Sequence, residues 1–245
     1  MARSCEDHEN LRCEMFNKSS GNLKGYDCPL CNNRGYFLIN KNGDEFFKEC
    51  KCMVIRKNIS QLKKSGLYQQ IKDLTFDNYI VKANWQRVCK EKAQKFNCGW
   101  FYAGGQSGVG KTHLCIAIVG KLISQGKNVK YMLWRDEIVK LKQNVNNYEE
   151  YSSINYLKNV DALYIDDFFK TERGKQVTQA DINIAFELLN YRYNNKELIT
   201  IISSELMTSD LIDIDEAIAG RIIEMSKGNC LDISKDINKN YRLNN

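Results

Sequence analysis

The feature that most constrains this chain is the segment Gly105–Thr112, which fits the pattern Gly-x-x-x-x-Gly-Lys-Thr. Glycines let the backbone curl closely enough for its N–H groups to point at phosphate oxygens. Trp100–Ala103, just before it, is apolar and strand-like, and Leu114–Val119, just after it, is compatible with a helix. A helix that begins at such a loop directs its positive end at the same anion. The sequence therefore predicts a phosphate-binding loop between a strand and a helix.

The residue types in this loop indicate a nucleoside triphosphate as the ligand. We expect Lys111 to reach the β- and γ-phosphates of ATP, and the hydroxyl of Thr112 to take one position around Mg²⁺. The alternative is a glycine-rich turn without a ligand, which the flanking strand and helix disfavour. The other expected nucleotide-binding residues are Gly105, Gln106, Ser107, Gly108, Val109, Gly110 and His113.

A second motif, Ala162–Ile165 followed by Asp166 and Asp167, is an apolar strand that ends in two carboxylates. Ligands of open α/β sheets bind at the carboxyl ends of the strands. We expect Asp166 to hold Mg²⁺, through water, and also to contribute to the nucleotide site. Asp167 would orient or deprotonate the attacking water. Such a run alone is a common transition from strand to loop, but the upstream phosphate-binding loop favours the functional interpretation.

From residue 99 onward, short apolar runs alternate with helical patterns, which favours an α/β fold with a parallel sheet covered on both faces. We expect helices over 111–125, 134–144, 178–194 and 215–225. The predicted strands are Trp100–Ala103, Val129–Leu133, Ala162–Ile165, Leu198–Ile202 and Cys230–Ile233.

Four of the ten cysteines are clustered, at Cys28, Cys31, Cys50 and Cys52. Two β-prone runs around Asn42-Gly43 predict a hairpin between the two pairs, which would bring all four thiols together. Four thiolates make a closed, structural zinc site. Free thiols that merely cluster are the alternative, but so small a segment cannot fold on apolar burial alone, which favours the metal.

The cysteine cluster and the changes in apolar periodicity divide the 245 residues into four parts. Residues 1–25 are polar and lack periodicity, so we expect a mobile N-terminus, followed by the zinc-binding hairpin over 26–52. Residues 53–72 have apolar side chains near i, i+4 and i+7, which predicts an amphipathic linker helix that ends near Gly66. Residues 73–245 form the nucleotide-binding domain.

The ends and the charge of the chain bear on its location and partners. No apolar run follows Met1, so we expect no secretory signal, no membrane association, and a soluble cytoplasmic protein. Residues 1–72 contain 13 Lys or Arg against 8 Asp or Glu. This excess is compatible with an acidic partner, and equally with a solvated basic surface.

Taken together, these features resemble the DnaC/DnaI-type loaders of replicative helicases, especially those of phages and mobile elements. The resemblance extends from residue 26 to the C-terminus. The combination of Gly-Lys-Thr-His and Leu-Asn-Tyr-Arg-Tyr is typical of these loaders and of the related IstB-type transposition ATPases. The segments that carry it are the cysteine hairpin, Leu74–Tyr79, Gly105–His113, Tyr164–Phe168, Glu187–Tyr193, Thr200–Ser204 and Ile218–Ile222.

The resemblance implies an AAA+ ATPase over residues 73–245 that uses ATP and Mg²⁺ to help place the replicative DNA helicase on single-stranded DNA. The zinc-containing part would grip the helicase. The AAA+ part would bind single-stranded DNA and self-associate into a spiral or ring.

Individual residues follow from the same resemblance. Thr75 to Tyr79 would lie near the adenine, and Ser204, with Ser203, would occupy the polar sensor position. Arg221 matches the arginine finger that reaches the γ-phosphate bound by a neighbouring subunit. Arg192 matches the family pattern without an evident physical role.

The chain also departs from the family pattern. Asp167 stands where a glutamate is usual, so hydrolysis is expected to be slow. Ser204-Glu205 replaces the sensor asparagine, and no room for a helical lid follows Asn240–Arg242, although Arg242 could contact the nucleotide.

Two other functions remain open. The first is an IstB-like partner of a transposase, against which the zinc hairpin argues. The second is a zinc-dependent nucleic-acid-binding module with a vestigial nucleotide site, which measurable ATP binding would exclude.

Overall fold

The computed structural model of the chain describes residues 5–41, 43–64, 67–143, 148–172 and 174–243. The chain divides into two compact units, Met1–Lys64 and Ser65–Asn245. The division falls inside the segment 53–72, for which we predicted a single linker helix. The predicted amphipathic helix is present and ends at Lys64, but a second helix begins at Leu67, so the segment contains two helices instead of one. The predicted helix end at Gly66 lies outside the described residues.

The first unit contains the predicted hairpin, whose strands pair antiparallel with Leu38 opposite Phe47. A helix follows directly from the second cysteine pair. The elements of this unit are α1 (Cys5–Lys18), β1 (Tyr36–Lys41), β2 (Asp44–Glu49) and α2 (Cys52–Lys64).

Helix α1 contradicts the expectation of a mobile segment over residues 1–25. The side-chain amide of Asn17 both donates to and accepts from the backbone of Leu38, each at 2.9 Å. The ring of Phe16 lies 5.5 Å from that of Phe47. These contacts join residues far apart in sequence, so the local sequence pattern does not predict them. Tertiary packing stabilises α1, whose own amphipathic pattern is weak.

The second unit is a five-stranded parallel sheet with helices, in which the strand order is β4-β5-β6-β3-β7. Its strands are β3 (Trp100–Gly105), β4 (Val129–Leu133), β5 (Ala162–Asp166), β6 (Ile199–Ser203) and β7 (Cys230–Ile233). Its helices are α3 (Leu67–Asp73), α4 (Asn84–Lys95), α5 (Lys111–Ser124), α6 (Trp134–Gln143), α7 (Tyr148–Asn159), α8 (Gln179–Asn194), α9 (Thr208–Ile214) and α10 (Glu216–Met225), with a short 3-10 turn at Ile237–Lys239.

The central strands β3, β5 and β6 are fully buried, as expected for a parallel sheet that is covered on both faces. Strand β3 lies between β6 and β7, and β5 lies on the far side of β6. The loops that follow β3, β5 and β6 therefore meet at one edge of the sheet. Among the described residues, no helix is long and apolar enough to cross a membrane.

Candidate nucleotide site and metal centre

The loop after β3 has the backbone geometry that the glycine pattern predicts. Gly110 precedes α5 with φ of 91°, and no side chain caps the helix there. A Cβ on Gly110 would lie 3.0 Å from the ring of Tyr79. At Gly108, with φ of 78°, a Cβ would lie 2.2 Å from Oδ1 of Asn240. The loop thus needs glycine at both positions, and the first N–H groups of α5 are left for a ligand.

The side chain of Lys111 folds back over this loop. Its ammonium donates to the carbonyl oxygens of Gly105 at 2.7 Å and Gln106 at 2.6 Å. The side chain is buried, and burial lowers the pKa of Lys111. The ammonium of Lys111 lies beside the free N–H groups at the start of α5, and together they are well placed to bind phosphate.

The buried carboxylate of Asp166, at the end of β5, is surrounded by hydroxyl groups. Tyr164 donates to Oδ1 at 2.8 Å and Tyr131 donates to Oδ2 at 3.1 Å. Ser203 also donates to Oδ1. Burial, reinforced by nearby acidic groups, raises the pKa of Tyr164, so its hydroxyl stays protonated and remains a donor.

The predicted magnesium ligands, Thr112 and Asp166, are brought together. Oγ1 of Thr112 lies 3.5 Å from Oδ1 of Asp166. Hydroxyl and carboxylate oxygens are ligands that Mg²⁺ prefers, usually with several waters retained. These two residues therefore fit the ion, which when bound would neutralise phosphate charge.

Asp167, the first residue after β5, has a different partner from Asp166. Its backbone is left-handed, with φ of 54°. Its Oδ2 accepts from the ammonium of Lys170 at 3.0 Å, and the same ammonium lies 3.1 Å from Oε1 of Glu205. Sequence reasoning found Asp167 but missed the lysine that holds it.

The two serines predicted at the sensor position, at the end of β6, have different partners. Ser203, not Ser204, contacts Asp166, and its Oγ also accepts from the backbone N–H of Asp167 at 3.4 Å. Ser204 donates instead to the carbonyl oxygen of Phe168 at 2.8 Å. Successive residues of a strand face opposite sides, so only one of the two can point at the carboxylate.

A cavity of about 600 Å³ extends from these carboxylates along the phosphate-binding loop. His113 lies at its wall, with Nε2 2.8 Å from the carbonyl oxygen of Thr75 and its ring edge-on to Tyr79 at 5.1 Å. The predicted adenine-side segment 75–79 thus contributes Asn78 and Tyr79 to the wall. Other lining residues include Gln70, Leu74, Ile80, Ser107, Tyr131, Tyr241 and Arg242.

The C-terminal segment closes one side of this cavity. The N–H of Tyr241 donates to the carbonyl oxygen of Gly108 at 2.9 Å. The hydroxyl of Tyr241 accepts from the side chain of Gln86 at 2.7 Å. These contacts bring Arg242 to the wall, where the sequence left its role open.

The two arginines of the family pattern occupy different environments. Arg192 is fully buried and donates to carbonyl oxygens of Leu157, Val160 and Ile199 at 2.9, 3.0 and 2.6 Å. Burial lowers its pKa to about 10, so it stays charged at neutral pH. Its role, absent from the sequence argument, is to join the end of α7 to the starts of β5 and β6.

Arg221, the predicted finger, lies on α10 away from the cavity of its own chain. It donates to Asn190 at 3.1 Å and to the carbonyl oxygen of Ala217 at 2.8 Å. Its guanidinium lies 4.7 Å from the ring centre of Phe186. It is not among the described residues that line the cavity.

In the first unit, the four predicted cysteines form one buried cluster, whose Sγ atoms all lie within 4.8 Å of one another. Cys28 and Cys50 are separated by 3.8 Å, and Cys31 and Cys52 by 3.5 Å. Zinc–thiolate bonds of about 2.3 Å in a tetrahedron place sulfurs about 3.8 Å apart, whereas a disulfide needs about 2.05 Å. The cluster therefore fits a metal ion.

Hydrogen bonding favours a thiolate at Cys31, whereas burial raises the pKa of Cys50 to about 12 and raises that of Cys52 as well. The N–H of Gly35 donates to Sγ of Cys31 at 3.3 Å. Although burial opposes it, this bond and the neighbouring thiols lower the pKa of Cys31 to about 6. Thiolate is the form that binds zinc.

The sheet order, the loop after β3 and the carboxylates after β5 define an ATPase domain of the AAA+ type. The chain matches the bacterial DnaA ATPase domain over residues 72–226. It therefore belongs to that family.

Relatives of known name agree with this assignment. The chain is 31% identical over 218 residues to the phage-like element PBSX protein XkdC of Bacillus subtilis (strain 168), covering 82% of this chain and 79% of that protein. It is 32% identical over 128 residues to the replicative helicase loader DnaC of Buchnera aphidicola subsp. Baizongia pistaciae (strain Bp), covering 46% and 52%. The crystal structure of the DnaC helicase loader superposes with a TM-score of 0.57 at 22% identity, covering 67% and 98%, which supports the fold.

Proposed function

We propose that this protein is an ATPase that binds the replicative DNA helicase and helps to load it onto single-stranded DNA. The observation that carries the proposal is a nucleotide-sized cavity that joins Lys111, Thr112 and Asp166 in a chain similar to a helicase loader. The cavity supports ATP binding, and the similarity supports the helicase as client. The IstB-like alternative shares the cavity and differs in its client.

The site residues have distinct roles in this proposal. The loop Gly105–Thr112 and Lys111 bind the phosphates, and Thr112 and Asp166 hold Mg²⁺. Tyr79 and its neighbours face the adenine. Asp167 orients the attacking water from a side chain one methylene shorter than glutamate, so hydrolysis is slow and is stimulated by DNA or helicase.

The first unit supplies the helicase contact. The cysteines hold zinc, which fixes the hairpin and leaves large apolar side chains at its surface. Phe47 is 64% exposed and Leu30 is 65% exposed. Exposed apolar groups on a small, metal-fixed unit are suited to a protein partner.

Capture of replicative helicase from the same cell tests this division of roles. Full-length protein should capture helicase with or without ATP, and Lys111→Ala should do the same while failing to bind ATP. Cys28→Ser/Cys31→Ser should lose capture, because it disrupts the zinc unit. Cys98→Ser, which changes an exposed cysteine of the second unit, is the matched control.

Each failure has a different meaning. Wild-type protein that binds ATP but captures a transposase instead of helicase would support the IstB-like function. Wild-type protein that binds no ATP would support the vestigial module. Full capture by the double cysteine variant would contradict the assignment of helicase binding to the first unit.

We also propose that the protein self-associates into a spiral or ring in which Arg221 completes the site of the next subunit. Lys111→Ala and Arg221→Ala should each be nearly inactive in hydrolysis, although Arg221→Ala should still bind ATP. When they are mixed in equal amounts, about a quarter of interfaces should be competent, since contact is head to tail. A mixture that co-assembles yet stays as inactive as its components would contradict the role of Arg221.

A further inference from the structure

Lys170 lies between two carboxylates in the wall of the cavity. Its ammonium is 3.0 Å from Asp167, which follows β5, and 3.1 Å from Glu205, which follows β6. All three side chains line the cavity that also contains Lys111 and Thr112. A single cation thus joins the ends of two neighbouring strands beside the expected phosphates.

The turn that presents Lys170 is firmly held. Phe168 and Phe169 are buried and stacked with ring centres 4.0 Å apart. Trp134 packs edge-on against Phe168 at 4.8 Å. The backbone N–H of Phe168 donates to the carbonyl oxygen of Ser203 at 2.8 Å. These contacts fix the backbone before Lys170, so its pairing has a rigid base.

The charges around the cavity explain why this pairing matters. A nucleoside triphosphate brings several negative charges into a cavity that already has Asp166, Asp167 and Glu205 in its wall or beside it. Mg²⁺ would offset the negative charge of Asp166 and of the phosphates. The other two are paired only through Lys170 among the ion pairs of the described residues.

We propose that Lys170 is a positioning residue of the ATP site, which offsets part of the negative charge of Asp167 and Glu205 so that the cavity accepts a triphosphate. The inference rests on the proposed ATP binding and adds a charge requirement to it. Without Lys170, both carboxylates would face the phosphates unpaired and would repel them. The adenosine part of the ligand would be unaffected.

Equilibrium titration of the full-length protein with ATP and with adenosine tests this inference. Lys170→Met should weaken ATP binding about tenfold and change adenosine binding by less than about twofold. Lys170→Arg should stay near the wild type. Lys170→Met/Glu205→Gln should recover most of the lost affinity, because one of the repelling charges is gone.

Lys175→Met is the matched control. Lys175 also pairs with an acid three residues earlier, Glu172 at 2.6 Å, but both side chains are exposed and neither lines the cavity. This variant should bind both ligands as the wild type does. Equal loss of ATP and adenosine in Lys170→Met, without recovery in the double variant, would mean a merely structural role.

The inference and the proposed function fail in distinguishable ways. Undiminished ATP affinity in Lys170→Met, beside normal binding by the wild type, overturns the role of Lys170 and leaves the ATPase proposal intact. A wild-type protein that binds no ATP overturns both.

Discussion

The two units of this chain are ordered by different means. Among the described residues, the first unit buries four clustered cysteines and few large aliphatic side chains, chiefly Leu38, Ile55 and Leu62. The second unit buries a continuous core around a five-stranded sheet. A small unit cannot bury enough apolar surface to offset the loss of chain entropy, whereas a large sheet can.

Metal binding in the first unit and nucleotide binding in the second unit should therefore be independent of each other. Metal binding in the first unit is coupled to folding, because the thiolates converge only when the hairpin forms. The nucleotide cavity of the second unit is bounded by strand ends and loops that the apolar core already fixes. Loss of one should therefore leave the other unchanged.

The largest expected effect is the loss of zinc and of the folded first unit in Cys28→Ser/Cys31→Ser. Wild-type protein should contain one zinc per chain, and the double variant should contain none and lose the structure of its first unit. Elemental analysis and limited proteolysis would measure these changes, while ATP affinity should stay within about twofold. The absence of zinc from wild-type protein prepared without chelator would break the comparison.

The next largest effect is a loss of stability of the second unit in Arg192→Met. The variant leaves buried carbonyl oxygens of Leu157, Val160 and Ile199 without their donor, which should cost about 3–5 kcal/mol. Thermal unfolding should shift down by roughly 10 °C, with zinc content unchanged. Arg192→Lys should lose less, since it keeps the charge and some donors.

The smallest effect is expected from Arg135→Met, the matched control for that experiment. Arg135 makes an exposed ion pair with Glu172 at 2.9 Å, and exposed pairs of this kind add little to stability because water and salt screen them. If Arg192→Met unfolded at the same temperature as Arg135→Met, the buried hydrogen bonds of Arg192 would not stabilise the sheet as we describe.

The sequence predicted what depends on short-range pattern. The strands Val129–Leu133 and Cys230–Ile233 have the predicted bounds, and the helix after the phosphate-binding loop begins at Lys111. Glycine spacing and paired cysteines encode their chemistry locally, so the loop and the cluster were identifiable. The carboxylate Asp166 followed from its place at the end of an apolar run.

The missed features all depend on long-range contacts. Helix α1 is held by the hairpin, and Arg192 by carbonyls that only the folded sheet brings together. The sequence placed Ser203 and Ser204 together, because only the fold shows which of the two faces the carboxylate of Asp166. Lys170 carried one signal, its i+3 spacing from Asp167, but Glu205 joins the pair only through the fold.

The measurement that tests the account most directly is ATP titration of wild-type protein and Lys111→Ala, with zinc measured in the same samples. Lys95→Ala, which changes an exposed lysine at the end of α4, is the control. We predict that Lys111→Ala loses ATP binding and keeps one zinc per chain, and that the control matches the wild type in both. Undiminished ATP binding by Lys111→Ala would contradict the placement of the nucleotide site, and loss of zinc along with ATP would contradict the independence of the two units.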